Sequence, residues 1–289
     1  MNNKNILLFI VAMFFSLSCD KNNPSDGGKP PCGGIDPYII PESPYNNPIW
    51  HPSGQFIGFN HVPLKRITYP YGEKCWGRQE LNYDSSGFWL INFDGTNMRR
   101  IFPYTLQTPV WSPDGEWIAF DSNNESPNGM NFIWTMKFDG TRKRRIVYEP
   151  SMGEIRMPNW FPDGKKIAHQ RYIGIGAPEI FVMDSSGQNP VRLTYTERFD
   201  SHPKYSPDRT RIAFWSSGNV WIMDSTGSNL RQLTTTGVDV DFGLPFSWSP
   251  VGDKIIYTRY QSTDWTMKNG VLWMIDVNAR AETQFTFNP

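Results

Sequence analysis

From residue 47 onward, short apolar runs alternate with polar turn clusters, and one ten-residue pattern returns five times. The copies are WHPSGQFIGF (50 to 59), WSPDGEWIAF (111 to 120), WFPDGKKIAH (160 to 169), YSPDRTRIAF (205 to 214) and WSPVGDKIIY (248 to 257). Each begins on an aromatic, turns through a polar Pro/Gly corner and ends in a triplet of Ile, a small residue and a larger ring. The triplets are Ile57-Gly58-Phe59, Ile118-Ala119-Phe120, Ile167-Ala168-His169 and Ile212-Ala213-Phe214, with Ile255-Ile256-Tyr257 departing at its middle position. Alternation at period two puts Ile and the ring on one face of a strand and the small residue on the other. Neither face is polar. A second apolar run follows in every copy (WLINFD, IWTMKFD, IFVMD, VWIMD, LWMID), the pattern of a strand covered on both sides.

The order within a copy predicts four strands, A to D. Ser-Pro-Asp-Gly joins A to B, with Pro at the second position of a type I turn and Gly at positive φ. Asp-Gly turns such as Phe93-Asp94-Gly95-Thr96 and Phe138-Asp139-Gly140-Thr141 join C to D. The leading aromatics Trp50, Trp111, Trp160, Tyr205 and Trp248 lie 61, 49, 45 and 43 positions apart, within or just above the roughly 20 to 50 residue periods of repeat folds. Sheets covered on both faces by copies of themselves predict an all-β fold, a β-propeller of four-stranded antiparallel blades. Five blades are counted, at about 47–102, 108–147, 157–194, 202–234 and 245–287. The pattern W-S-P-D-G-x-x-I-A-F, then I-x-x-M-D-x-x-G, then R-x-L-T resembles the WD40-like repeats of the TolB-type β-propeller. That resemblance implies six blades, so a sixth, degenerate blade stays open beside the five, and residues 36 to 41 supply at most one strand of it. Arg209-Thr210 in the fourth corner, Val251 in the fifth and a first copy keeping only Pro52 and Gly54 depart from the pattern.

The N-terminal residues are of another kind. Lys4 precedes the apolar run Ile6 to Phe15, and Ser16-Leu17-Ser18-Cys19 closes it, which reads residues 1–19 as a secretory signal. The run is too short to span a bilayer, which takes roughly 20 apolar residues. Leu-Ser-Cys resembles the lipobox of bacterial lipoproteins, which implies lipid attachment at Cys19, although Leu17 stands one place later than that pattern prefers. Ordinary cleavage after Ser18 is the alternative. Residues 20–46, within a stretch of seven prolines and four glycines over 20 to 48, read as a tether, and 47–289 as the propeller. Cys32 and Cys75 remain as a pair for a disulfide in an oxidising compartment, or as two free thiols.

Charge narrows the function classes. With 28 basic and 28 acidic residues, no net basic surface favours nucleic acid. Length variation marks the working rim, formed by the B to C and D to A loops, which include 148 to 157, 195 to 202 and 234 to 244. Candidate partner contacts there are Trp76, Arg78, Arg156, Arg171, Tyr172, Arg198, Asp200, His202, Asp239, Asp241, Tyr260 and Trp265, since exposed aromatics and Arg are the usual interface anchors. The four histidines do not form a metal set. His51 sits at an A to B corner and His169 in a strand B, although resemblance to oligogalacturonate lyases, propellers with a His-ligated metal, raises the question. Asp200, Asp239 and Asp241 offer carboxylate oxygens that could bind calcium, and no cofactor is otherwise expected. No G-x-S-x-G elbow is present, and no catalytic residue is assigned. Basic residues on strand D, Arg99-Arg100, Arg142 to Arg145 and Arg231, read first as protection of an exposed edge. The chain is therefore expected to be a non-catalytic protein-binding or scaffolding propeller of the bacterial cell envelope, with resemblance to TolB implying envelope protein partners. Its expected place is that of an outer-membrane lipoprotein facing the periplasm or the cell surface. The alternative is a carbohydrate-binding or polysaccharide-degrading propeller with its site at the channel mouth.

Overall fold

The computed structural model describes residues 45–68, 78–126, 128–146, 153–174, 176–235, 246–260 and 270–286. Cys19, Cys32, Cys75, Trp76, Asp239, Asp241 and Trp265 lie outside them. The chain forms two compact units, one of residues 45–61 with 86–289 and one of 1–44 with 62–85. β1 (Tyr45–Trp50) and β2 (Phe56–His61) open the first blade, β3 (Leu64–Thr68) and β4 (Arg78–Leu81) form a separate hairpin, and β5 (Gly87–Asn92) and β6 (Arg99–Phe102) complete the blade. The hairpin belongs to the smaller unit, where Lys65 and Arg66 both pair with Glu80.

Four more blades follow in the larger unit. The second is β7 (Gln107–Trp111), β8 (Trp117–Ser122), β9 (Phe132–Lys137) and β10 (Arg144–Arg145). The third is β11 (Ile155–Trp160), β12 (Lys166–Tyr172), β13 (Pro178–Asp184) and β14 (Val191–Arg192), and the fourth β15 (Asp200–Tyr205), β16 (Arg211–Ser216), β17 (Asn219–Asp224) and β18 (Arg231–Gln232). The fifth is β19 (Phe246–Trp248), β20 (Lys254–Tyr260), β21 (Gly270–Asp276) and β22 (Glu282–Gln284). Each is an antiparallel meander of four strands in sequence order. Five blades form the β-propeller, as the repeats predict.

The corners explain why the repeat spells Ser-Pro-Asp-Gly. The Gly115 N–H donates to Ser112 O at 2.9 Å, Gly115 takes φ +75°, and the Trp117 N–H donates to the Ser112 hydroxyl at 2.9 Å. Asp114 accepts from that hydroxyl at 2.5 Å and from the Glu116 N–H at 3.0 Å. Thus Ser and Asp replace the ladder bonds that a tight turn leaves unmade. Arg209, standing where the fourth copy lacks Gly, adopts the same left-handed conformation at φ +69°. The C to D turns are tighter still. A Cβ on Gly187, at φ +90°, would lie 1.5 Å from the Ile146 carbonyl oxygen of the preceding blade. Gly187→Ala is expected to destabilise by about 2 kcal/mol, since the left-handed conformation alone costs an L-residue about 1–2. A urea titration of the variant checks this.

Blades pack by alternation. Ile118 and Phe120 face back to Phe88 and Leu90 of the first blade, whereas Ala119 faces forward to Ile155, Ile167 and Met183 of the third. The fourth blade repeats the arrangement, with Ile212 and Phe214 against Ile180 and Val182 and Ala213 against Ile255 and Tyr257. The small middle residue lets the next blade approach. Innermost strands β1, β7, β11 and β15 each shift register midway. There Asn47, Thr108, Met157 and His202 take φ between +42° and +58°, each just before a proline.

Candidate functional site

The described part of the loop rim is richest where blades 3 and 4 meet. Strand β13 brings Glu179 and strand β15 brings Asp200, both buried, and the D to A loop between them knits the two together. Glu179 accepts from Arg192 at 2.8 Å, from the Thr194 hydroxyl at 2.5 Å and from the Thr196 N–H at 2.9 Å. Asp200 accepts from the Ser216 hydroxyl at 2.5 Å and the Thr196 hydroxyl at 2.9 Å. Burial pushes the Asp200 carboxyl above its ordinary range, and these hydroxyls pull it back down. A loop tied at both ends by buried carboxylates holds its side chains in fixed places.

What that loop presents is aromatic and cationic. Arg198 lies 4.0 Å over the Trp221 ring and donates from Nε to Ser216 at 3.2 Å. Arg192 lies 4.4 Å over the ring of Tyr195, which is itself 74% exposed. Tyr172, at the end of β12, meets Phe199 edge-on at 6.2 Å, and its neighbour Ile173 is 41% exposed. Rings held by guanidinium groups are already ordered, so a partner would lose little side-chain entropy on meeting them.

A second network sits between blades 2 and 3. Asp121, buried, pairs with Arg156 at 3.3 Å and accepts from the Thr108 hydroxyl, while Arg156 also reaches Gln107 at 3.2 Å. Burial raises the Asp121 carboxyl despite these partners. His202 is pushed down to about 4 by burial, then by the positive charges of Lys204 and Arg156. It is therefore a neutral imidazole at physiological pH. Lys204, lowered by burial, donates to the Phe246 carbonyl at 2.5 Å and so ties blade 4 to blade 5.

The structure thus brings Tyr172, Arg198 and Asp200 to one junction and puts Arg156 and His202 near each other on the inner strands. Arg171 lies over the Phe181 ring at 4.9 Å, and Arg78 and Tyr260 stand at strand ends. Asp200 is a loop anchor rather than an exposed contact, with both carboxylate oxygens taken by hydroxyls that calcium would have to displace. No group of three or more His, Cys, Asp or Glu side chains is placed to hold a metal among the described residues. Tyr195 and Ile173 were not singled out by sequence reasoning. Tyr195 lies inside the 195 to 202 loop, but only its exposure marks it.

Comparison with known proteins decides the family. The family model of the TolB beta propeller domain matches residues 82–288. The chain belongs to that family. A relative in Agrobacterium fabrum, an uncharacterized protein, is 27% identical over 220 residues, covering 60% of this chain and 73% of its own. The Tol-Pal system protein TolB of Francisella tularensis subsp. mediasiatica is 26% identical over 103 residues, 34% of this chain and 23% of that one. The chain thus matches under a quarter of that TolB's length. Among solved structures, a putative TolB from Agrobacterium tumefaciens superposes with a TM-score of 0.59 at 20% identity, over 83% of this chain and 79% of that one. The TolB-type blades account for the repeated corner, the Ile-small-ring triplets and the strand order. Among the described residues no helix is long and apolar enough to cross a membrane.

Proposed function

We propose that this TolB-family propeller is a non-catalytic binding module of the bacterial cell envelope, lipid-anchored through Cys19, which meets an envelope protein with its loop rim. The observation that carries this reading is the set of ordered aromatic and arginine side chains at the junction of blades 3 and 4, Tyr195 on Arg192, Arg198 on Trp221 and Tyr172 on Phe199, with Ile173 exposed. Ordered aromatics beside Arg are what interface hot spots are made of. The resemblance to TolB adds the class of partner, and the export signal adds the compartment. Carboxylates at this junction serve the loop, which favours binding over chemistry.

A pull-down from envelope extracts with the intact chain and with Tyr195→Ala/Arg198→Ala tests it. Two anchors of this kind are expected to lose roughly 2 kcal/mol each, about a thousandfold in affinity together. Recovery of the same proteins in undiminished amount by the variant contradicts the reading. Intact mass of the mature protein tests the anchor separately: diacylglycerol on Cys19 is expected, and an unmodified N-terminus removes that part of the proposal.

A further inference from the structure

Blade 4 turns two arginines toward blade 5. Arg211 begins β16 and Arg231 begins β18, and strand register puts them on one side of the sheet. Arg231 pairs with Ile222 and Ile222 with Ala213, paired residues share a side, and Ala213 stands two positions from Arg211 on the same strand. That side meets blade 5, because Ala213 and Ile222 pack with Ile255 and Ile275. Both arginines cross the junction. Arg231 donates from Nη2 to the Val277 carbonyl at 3.0 Å, and Arg211 donates to Asn278 Oδ1 and to the Gly252 carbonyl, each at 3.3 Å. Val277 and Asn278 lie in the turn between β21 and β22, and the same turn carries a third guanidinium, that of Arg280.

Nothing among the described residues neutralises the three together. Arg231, half-buried, has no carboxylate partner there, and its buried Nη1 makes no hydrogen bond. Burial pushes its pKa down, and the charges of Arg280 and then Arg211 push it further. Arg280 is exposed and has no partner among the described residues. Only Arg211 meets a carboxylate, Asp208 at 3.4 Å, and Asp208 already accepts from the Ser206 and Thr210 hydroxyls. The other acids of this rim are engaged too. Asp253 pairs with Lys254, Asp276 accepts from the Asn278 and Ala279 N–H groups, and Asp224 accepts from Asn229. The Asn278 amide, with its oxygen on Arg211, keeps an NH2 group to donate.

A buried guanidinium N–H without an acceptor is costly, and so are like charges close together. An oxyanion between the arginines offsets both. A carboxylate brings one charge and two oxygens in one plane, whereas guanidiniums arriving from two strands and a turn suit a tetrahedral group with more acceptors and more charge. We infer that the corner rim of the blade 4 and 5 junction is a phosphate-binding site, with Arg231, Arg280 and Arg211 on the phosphate oxygens and the Asn278 amide donating beside them. This site lies on the rim opposite the proposed partner face and does not depend on that reading.

The test is titration calorimetry of the full chain, carrying Cys19→Ser so that no lipid is attached there, with inorganic phosphate and with glycerol 3-phosphate in chloride buffer of constant ionic strength. Cosedimentation with phosphatidylglycerol vesicles is the second arm. Saturable binding is expected, weakened about tenfold by Arg280→Gln and about a hundredfold by Arg231→Gln/Arg280→Gln, at about tenfold per hydrogen bond to a charged group. Phosphate is also expected to raise the melting temperature of the parent chain and not that of the double variant. Arg142→Gln, which removes an exposed arginine of blade 2, is expected to change neither. Arg280 has no partner to lose, so its single variant keeps the test valid if the double variant fails to fold. Binding of the soluble phosphates alone identifies a free phosphate as the occupant, and vesicle binding with the same dependence on Arg280 identifies a lipid headgroup. No saturable binding in either arm, binding indifferent to Arg280→Gln, or an equal loss through Arg142→Gln overturns the inference.

Discussion

Phe214→Ala is expected to lower the unfolding free energy by about 3–5 kcal/mol, the range for removing a buried phenyl ring. Phe214 is fully buried on β16, on the face that meets Ala168, Ile180 and Val182 of blade 3. Two consequences follow from its place in the repeat. The ring fills the space that Ala168 opens in the neighbouring blade, so its loss leaves a cavity between two rigid sheets that cannot collapse toward each other. A domain of this kind is stable by only about 5–15 kcal/mol in total, so the substitution removes a large part of its margin. Urea unfolding followed by tryptophan fluorescence checks it, and a loss under 1 kcal/mol would contradict the packing described.

The second large effect depends on pH. His169 replaces the ring residue of its triplet, stacks on Phe181 at 5.8 Å and is fully buried, which pushes its pKa down to about 3. Its Nε2 has no hydrogen-bond partner. The unfolded chain protonates this group near 6.5 and the folded one does not, so stability is present above pH 6.5 and is lost as pH falls toward 3. At about 1.4 kcal/mol per pH unit, the loss between pH 7 and pH 4 is about 3 kcal/mol. Asp121 and Asp200, raised by burial, act in the opposite sense and flatten the whole-protein curve. The comparison with His169→Phe isolates the histidine: Phe ends three of the other four triplets and removes the orphaned nitrogen. The variant is expected to match the wild type at pH 7 and to exceed it by about 3 kcal/mol at pH 4. Parallel stability curves across that range would contradict the burial.

The blades were legible because their requirements are local. A Ser-Pro-Asp corner makes the same bond wherever it occurs, so Ser112 and Asp114 recur as Ser206 and Asp208 with the hydroxyl donating to the carboxylate in both. Ile-Ala-Phe announces a strand with one thick and one thin face for the same reason. The rim was legible only as a location. That Arg198 rests on Trp221, or that Asp200 is held inside by Ser216, depends on which loops two blades bring together, and no single repeat encodes that.

The central claim is that a partner meets the loop rim rather than the corner rim. Its most direct measurement is a hydrogen-exchange footprint of the chain with and without the recovered envelope partner. Slowed exchange is predicted across 195 to 202 and at Ile173, with the corners at 112 to 115 and 206 to 210 unchanged. Protection at those corners with the 195 to 202 loop unaffected would contradict it.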